Sequence, residues 1–304
     1  MAKLTNILLI GATGSIGSVV LDAFQKDTYF NLTVLQRASS KSRLPSHLKV
    51  ITIKDTYPTD ELTTAFKGQD VVVNCMSSPS AKDQFRMVDA AIAAGVQRYV
   101  PSEYGLNNMR PDAQALNSVF GEKGKIQGYL RAKADEGKIE WMSISCGMWL
   151  KWSMAHDFLG MHVPEQRFVM WDDGTGYFSC TSEENTVAGL LQALKVPEET
   201  KNLNVYLSDF AITQKQLLDA IERIQGVKYK IENVNSEKLI EEKKEAVRQG
   251  DTFATYVLVE TGFVTGRFGG HLEKEGVIMN EKLGLPRHTL DEAVTNGLRS
   301  LGAL

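Results

Sequence analysis

The first patterned segment of the chain, Asn6-Ile7-Leu8-Leu9-Ile10, is apolar without alternation and too short for a helix. That is the pattern of a strand buried on both faces of a parallel sheet. A glycine loop follows, and the spacing then changes: Ile16, Val19, Val20, Ala23 and Phe24 recur at helical intervals from Ser15 to about Lys26. The same exchange of periods repeats downstream. Strands are expected at about Leu32 to Gln36, at Lys49 to Ile53, at Asp70 to Asn74, at Arg98 to Pro101 and at Glu140 to Ser145. Helices are expected near Asp60 to Phe66, from about Ala81 to Ala94 with Phe85, Val88 and Ile92 on one stripe, and from about Val119 to Ala134. Alternation of this kind implies an α/β fold, a doubly wound parallel sheet covered by helices on both faces.

Past residue 146 the character changes. Cys146-Gly147-Met148-Trp149-Leu150-Lys151-Trp152 leads into a stretch rich in Met, Trp and Phe, and Lys201 to Gly284 mixes charged helical runs with isolated strands. Residues 1–150 are therefore expected to form a nucleotide-binding domain, completed by about residues 175–205 and the C-terminal helix. Residues 151–304 are expected to form mainly a smaller α/β subdomain that binds substrate, with no sheet closed on its own, folded over the carboxyl edge of the first. Asp172-Asp173-Gly174-Thr175-Gly176 reads as a hairpin turn. The run Ser236 to Gln249 reads as a solvated helix face.

Strand, glycine turn and helix arrive in the order of a Rossmann-type dinucleotide-binding unit. The loop is Gly11-Ala12-Thr13-Gly14-Ser15-Ile16-Gly17, and its G-x-x-G-x-x-G spacing points toward the short-chain dehydrogenases. A helix start offers unbonded N–H groups and the positive end of the peptide dipole to a pyrophosphate, and Gly11 and Gly14 are expected to permit its approach. About 20 residues on, where an NAD-selective fold carries an acid for the ribose 2′-hydroxyl, this chain reads Arg37-Ala38-Ser39-Ser40-Lys41. Cations and hydroxyls suit a 2′-phosphate, so the cofactor reads as NADPH.

Composition narrows the field further. A net charge of -3 over 304 residues gives no basic field for nucleic acid. No apolar run approaches the roughly 18 residues of a membrane span, and the short leader before the first strand leaves no room for a removable signal, so the cytoplasm is the expected compartment. Cys75, Cys146 and Cys180 are far apart and flanked by strand-like sequence, which reads as small buried side chains, with no metal or disulfide framework expected. The remaining expected partner is a small-molecule substrate.

Pro101-Ser102-Glu103-Tyr104-Gly105, then Phe120-Gly121-Glu122-Lys123 and the helix opened by Gly124-Lys125-Ile126, resemble the isoflavone reductase-like, or NmrA-like, branch of atypical short-chain dehydrogenases. The glycine loop, Arg37, Gln84, Asp173-Gly174 and Leu283-Gly284-Leu285-Pro286, the last similar to fungal members, extend the likeness along nearly the whole chain, more loosely in its second half. The resemblance implies an NADPH-dependent reductase of a phenolic, enone or imine metabolite, with Lys123 of the F-x-x-K motif as the catalytic residue. A lysine partly desolvated beside the cofactor ring can exchange protons near neutral pH. Two other readings stay open: a regulator that senses NADP(H) without turnover, and an isomerase that uses the cofactor as a helper.

The expected cofactor contacts are Gly11, Thr13, Gly14, Ser15, Ile16, Gly17, Arg37, Lys41, Ser77, Gln84 and Lys123, with Asn74-Cys75-Met76-Ser77-Ser78-Pro79 passing over the cofactor. Tyr104 is a second candidate proton donor, with a ring packed under the following loop as the plain alternative. Met148, Trp149, Trp152 and His156 follow the sixth strand, where open α/β sheets bind ligands, and are candidate pocket lining or ordinary core. Tyr129-Leu130-Arg131-Ala132-Lys133 spells the Y-x-x-x-K of conventional dehydrogenases, but Lys133 lies ten residues past Lys123. At about 1.5 Å per residue that is about 15 Å further from the carboxyl edge, so both residues read as helix surface. Val119, four before Lys123, stands where the usual tyrosine is absent.

Overall fold

A computed structural model of the protein describes residues 3–77 and 81–304. In chain order the elements are β1 (Asn6–Ile10), α1 (Ser15–Lys26), β2 (Asn31–Arg37), β3 (Lys49–Ile53), α2 (Thr59–Phe66), β4 (Val71–Asn74), α3 (Ala81–Ala94), β5 (Arg98–Val100), α4 (Pro111–Leu116), α5 (Ser118–Asp135), β6 (Glu140–Ser145) and α6 (Leu150–Ala155). They continue as β7 (Met161–His162), β8 (Arg167–Trp171), β9 (Tyr177–Cys180), α7 (Glu183–Lys195), α8 (Pro197–Thr200), β10 (Leu203–Tyr206), β11 (Phe210–Thr213), α9 (Gln214–Gln225), β12 (Lys230–Val234), α10 (Ser236–Arg248), α11 (Phe253–Val264) and α12 (Leu290–Ser300). The chain divides into two units, Met1–Glu103 with Glu122–Ile144 and Val187–Val205, and Tyr104–Gly121 with Ser145–Thr186 and Tyr206–Leu304.

Among the described residues, the first unit holds a seven-stranded sheet in the order β3-β2-β1-β4-β5-β6-β10. Every neighbouring pair from β3 to β6 is parallel. This is the doubly wound order, and its direction reverses between β1 and β4, leaving a crevice at their carboxyl ends. All four residues of β4 are buried, as a central strand covered on both faces requires. Helix α1 buries Ile16, Val20, Leu21 and Phe24, each large side chain contributing roughly 1.5–3 kcal/mol. Buried Arg98 ties three elements together: its guanidinium reaches Glu140 of β6 at 2.6 Å, the Pro197 carbonyl at 2.8 Å and the Thr200 hydroxyl at 3.1 Å. Burial pushes Glu140 up, but Lys201 and Arg98 together outweigh it and hold the carboxyl below its ordinary range.

The second unit builds small sheets of its own, β12-β8-β7 and β11-β9, where the sequence pattern predicted isolated strands and a hairpin. Its core gathers Met148, Phe158, Phe168, Trp171, Phe178 and Leu217. Trp171 is pinned through its indole N–H to Thr261 at 2.9 Å. Capping boxes at Thr213 and Thr289 start α9 and α12. Helix α12 packs on α6 and α9 and belongs to this unit, whereas only residues 187–205 of the expected completing segments belong to the first.

Asp172 to Gly176 turns as expected, with Gly174 N–H bonded to the Trp171 carbonyl, but it does not make a hairpin. The Asp172 N–H extends the β8–β12 ladder to Val234, its carboxylate takes the Ser236 N–H, and the Gly174 carbonyl takes the Lys215 N–H. These bonds commit β8 to one sheet while β9 pairs with β11 in another. No helix among the described residues is long and apolar enough to cross a membrane.

Candidate active site

At the carboxyl ends of β1, β2 and β4 a cavity of about 320 Å³ is lined by the glycine loop, Arg37 and the residues after β4. The three loop glycines differ in what requires them. Gly11 has φ +79°, and a Cβ there would lie 2.7 Å from the Cys75 carbonyl carbon, so its missing side chain lets β1 and β4 close on each other. A Cβ on Gly17 would stand 2.0 Å from the Gly11 oxygen. Gly14 is another matter. Its φ is -77°, and a Cβ would meet Gly11 and Cys75 oxygens at ordinary distances of 3.5 and 3.7 Å. Neither fold nor conformation demands glycine at 14, yet it lines the cavity and is the cap of α1.

That helix start carries no side-chain cap and no acid in its first turn, which leaves amide donors for an anion. The arrangement fits a pyrophosphate against Gly14, while a side chain on Gly11, which also lines the cavity, would meet the backbone of Cys75 and Met76 just past β4. Thr13 lines the cavity, while Ser15, Ile16 and Gly17 do not; the Ile16 side chain faces the core.

Arg37 ends β2 at the far side of the cavity. The turn after it is organised by Ser40 N–H on the Arg37 carbonyl at 3.0 Å, by the Gln36 amide on Ser40 at 3.0 Å and by Ser39 N–H on Asp55 at 3.0 Å. Bonds from Ser39 hold the Asp55 carboxyl below its ordinary range, with Arg37 adding to the effect. Lys41 is exposed and outside the lining, so the cations expected to act together are not brought together here. Tyr57, which sequence reasoning missed, closes this end. It is buried at φ +49° just before Pro58, and burial pushes its phenol up against the opposing charge of Arg37. An aromatic residue in the loop after β3 was the available signal.

Ser77 lines the cavity; Ser78 and Pro79 lie outside the described residues. Gln84 is buried in α3, off the lining, with its Oε1 unbonded among the described residues. Ser102 donates to the Met76 carbonyl at 2.6 Å and so fixes the end of β5 against the end of β4.

Lys123 stands in the second turn of α5, half-buried, and donates from its ammonium to the Glu103 carbonyl just past β5. The lysine is thereby held at the carboxyl edge of the sheet. Tyr104, the next residue, is half-buried with φ +38°, a left-handed backbone uncommon for an aromatic residue. Tyr129 points elsewhere: its hydroxyl donates to Asp89 at 2.5 Å, its ring meets Phe85, and Lys133 lies over it while pairing with Glu136. Burial, with the Asp89 bond, pushes the Tyr129 phenol up to about 12, the wrong direction for a catalytic tyrosine.

In the second unit Met148 is a core residue, bridged to Cys180 through the backbone. Trp149 donates to Thr186 at 3.0 Å, and Trp152 stacks on exposed His156 at 4.3 Å between ring centres. None of the four lines the cavity between α6, α7 and α12 or the one beside α9.

A doubly wound sheet with an uncapped, glycine-flanked helix start at its switch point and an arginine ending β2 defines a dinucleotide-binding protein of the Rossmann type. Residues 3–249 match the NmrA-like family, and the chain belongs to it. Oxidoreductase aprR of Aspergillus flavus is 30% identical over 294 residues, 96% of this chain and 98% of that one. Phenylcoumaran benzylic ether reductase Pyrc5 of Pyrus communis is 32% identical over 143 residues, 44% of this chain and 46% of that one. The binary complex of leucoanthocyanidin reductase with NADPH from Vitis vinifera shares the fold, with a TM-score of 0.77 at 18% identity, covering 97% of this chain and 99% of that one.

Proposed function

We propose that the protein is an NADPH-dependent reductase of a small planar metabolite, a phenol, an enone or an imine, with Lys123 as its acid or base. The observation that carries the cofactor part is Gly14: it lacks a side chain that nothing in the protein excludes, and it does so on the wall of a cavity that ends at Arg37. Backbone amides at the start of α1 would hold the pyrophosphate, and Arg37, with Ser40 beside it, would pair with the 2′-phosphate.

When bound, NADPH supplies the hydride. The chain's part is to hold, orient and move a proton. The bond from Lys123 to the Glu103 carbonyl fixes the ammonium nitrogen at the edge where β5 ends, and a tethered lysine at that edge favours turnover over a purely sensing role. Its nitrogen would take the proton of an acidic hydroxyl or deliver one beside the carbon that is reduced.

The named reductases among its relatives and structural neighbours support the reaction class, and the phenylcoumaran benzylic ether and leucoanthocyanidin in two of those names support an aromatic, oxygenated substrate. Incubation with NADPH and a metabolite extract tests the reading: one compound should gain two hydrogens as NADPH is consumed. Calorimetric titration should show NADPH bound far more tightly than NADH. Equal affinities would remove Arg37 from the site.

A further inference from the structure

The loop between β3 and α2 holds one residue in a conformation that its own chemistry disfavours. Tyr57 has φ +49° immediately before Pro58, although a bulky residue avoids the left-handed region and a residue ahead of proline is pushed toward extended backbone. Its surroundings hold it there. The Tyr57 N–H donates to the Lys54 carbonyl at 3.1 Å, Arg86 of α3 donates to the Thr56 carbonyl at 3.0 Å, and the ring belongs to the core cluster of Leu35, Ile53 and Leu62. Strain kept in place by neighbouring structure is found at ligand clamps, and this strained residue lines the cavity that ends at Arg37.

The ring fills core, but the hydroxyl has no part in the fold. It bonds no group among the described residues and is not sealed from solvent. The charged groups near it are Arg37, Asp83 and Asp55. Both carboxylates are committed elsewhere: Asp55 accepts from the Ser39 N–H at 3.0 Å, and Asp83 pairs with Arg86. The Arg37 guanidinium makes no hydrogen bond or ion pair among the described residues, so a cation and a hydroxyl stand together on one cavity wall without a protein partner. Burial, with Asp83 and Asp55, pushes the phenol up against the opposing effect of Arg37. The hydroxyl therefore keeps its proton and meets an anion as a donor.

We propose that Tyr57 sets cofactor specificity together with Arg37: its hydroxyl donates to an oxygen of the 2′-phosphate whose charge Arg37 pairs. The phosphate is then held from two elements, the end of β2 and the loop after β3. The inference rests on the NADPH reading of this cavity and adds to it an uncharged contact that an unphosphorylated ribose does not use.

Calorimetry with NADPH and NADH on wild type and Tyr57→Phe tests this, with urea unfolding of both proteins beside it. Tyr57→Phe should unfold at the wild-type midpoint, because the lost hydroxyl bonds nothing in the protein. It should bind NADPH about 10- to 100-fold more weakly, as expected for a lost hydrogen bond to a charged group, and NADH as the wild type does. Binding of 2′,5′-ADP, which carries the phosphate without the nicotinamide half, should weaken by the same factor. An NADPH preference kept in full by Tyr57→Phe, equal losses for the two cofactors, or a markedly earlier unfolding midpoint would each overturn the proposal and leave the cofactor reading standing. Equal wild-type affinity for NADPH and NADH would overturn both.

Discussion

Alanine placed at each glycine of the first loop should produce three different proteins. At Gly11, a left-handed backbone costs an L-residue about 1–2 kcal/mol, and a Cβ 2.7 Å from the Cys75 backbone adds an overpacking cost of about 1–3 kcal/mol. Gly11→Ala should therefore lose about 2–5 kcal/mol of stability. Gly17→Ala forces a 2.0 Å contact with the Gly11 oxygen and should be at least as damaging. Gly14→Ala meets only ordinary contacts at φ -77°. There the weaker cap costs up to about 1 kcal/mol, and the stiffer unfolded chain returns about 0.4–1 kcal/mol. The fold should barely notice, but the cofactor should. A phosphate pushed off one backbone donor loses about 1.5–3 kcal/mol, or roughly 10- to 150-fold in affinity. Urea unfolding and NADPH calorimetry on the three variants separate these effects. A Gly14→Ala protein that binds NADPH normally, or one destabilised as much as Gly11→Ala, refutes the division of labour drawn from the geometry.

The other predictions test separate parts of the account. Arg37→Asp should lower NADPH affinity by about 10- to 100-fold or more with little loss for NADH, since it removes a charge-assisted bond and adds repulsion; titration with both cofactors reads this. Arg98→Ala should cost about 2–5 kcal/mol in denaturant unfolding, because it empties a buried site beside β5, removes the bonds to Pro197 and Thr200 and leaves Glu140 with the exposed Lys201. Glu140 sits below its ordinary range in the folded protein, so the stability it contributes is present above its unfolded value of about 4.3 and is lost as pH falls through the lower folded value. Stability measured from about pH 6 down to about pH 3 should fall less steeply in Glu140→Gln than in the wild type. Tyr129→Phe and Lys133→Ala should leave turnover nearly unchanged, since both side chains are engaged on the helix surface.

The first unit was legible because its signals are local. Short unalternating runs of β-branched residues such as Val71-Val72-Val73 read as central parallel strands, the glycine loop and Arg37 announce themselves by spacing, and Lys123 stands out only through the family resemblance of its motif. What escaped depends on contacts between distant segments. Tyr57 reaches the cavity through a left-handed turn that no periodicity encodes. The equal-looking glycines of the loop differ only in what the end of β4 brings near them. Asp172 to Gly176 has hairpin chemistry, but ladder bonds to Val234, far along the chain, assign the flanking strands to different sheets. Helix α12 reads as a closing helix of either half until the faces of α6 and α9 are known. Met148 shows the limit of composition, because core and pocket walls use the same side chains.

The central claim is that the chain transfers hydride from NADPH and that Lys123 moves the accompanying proton. The direct measurement is incubation of wild type and Lys123→Ala with NADPH deuterated at the transferable position and a metabolite extract, followed by mass spectrometry. The account predicts one compound that gains one deuterium and one solvent hydrogen in step with NADPH loss. It also predicts a rate lower by about 100-fold or more in Lys123→Ala, at nearly unchanged NADPH affinity. Tight NADPH binding with no deuterium in any product would contradict the reductase and leave a sensor, and full turnover in Lys123→Ala would move the proton chemistry to another residue.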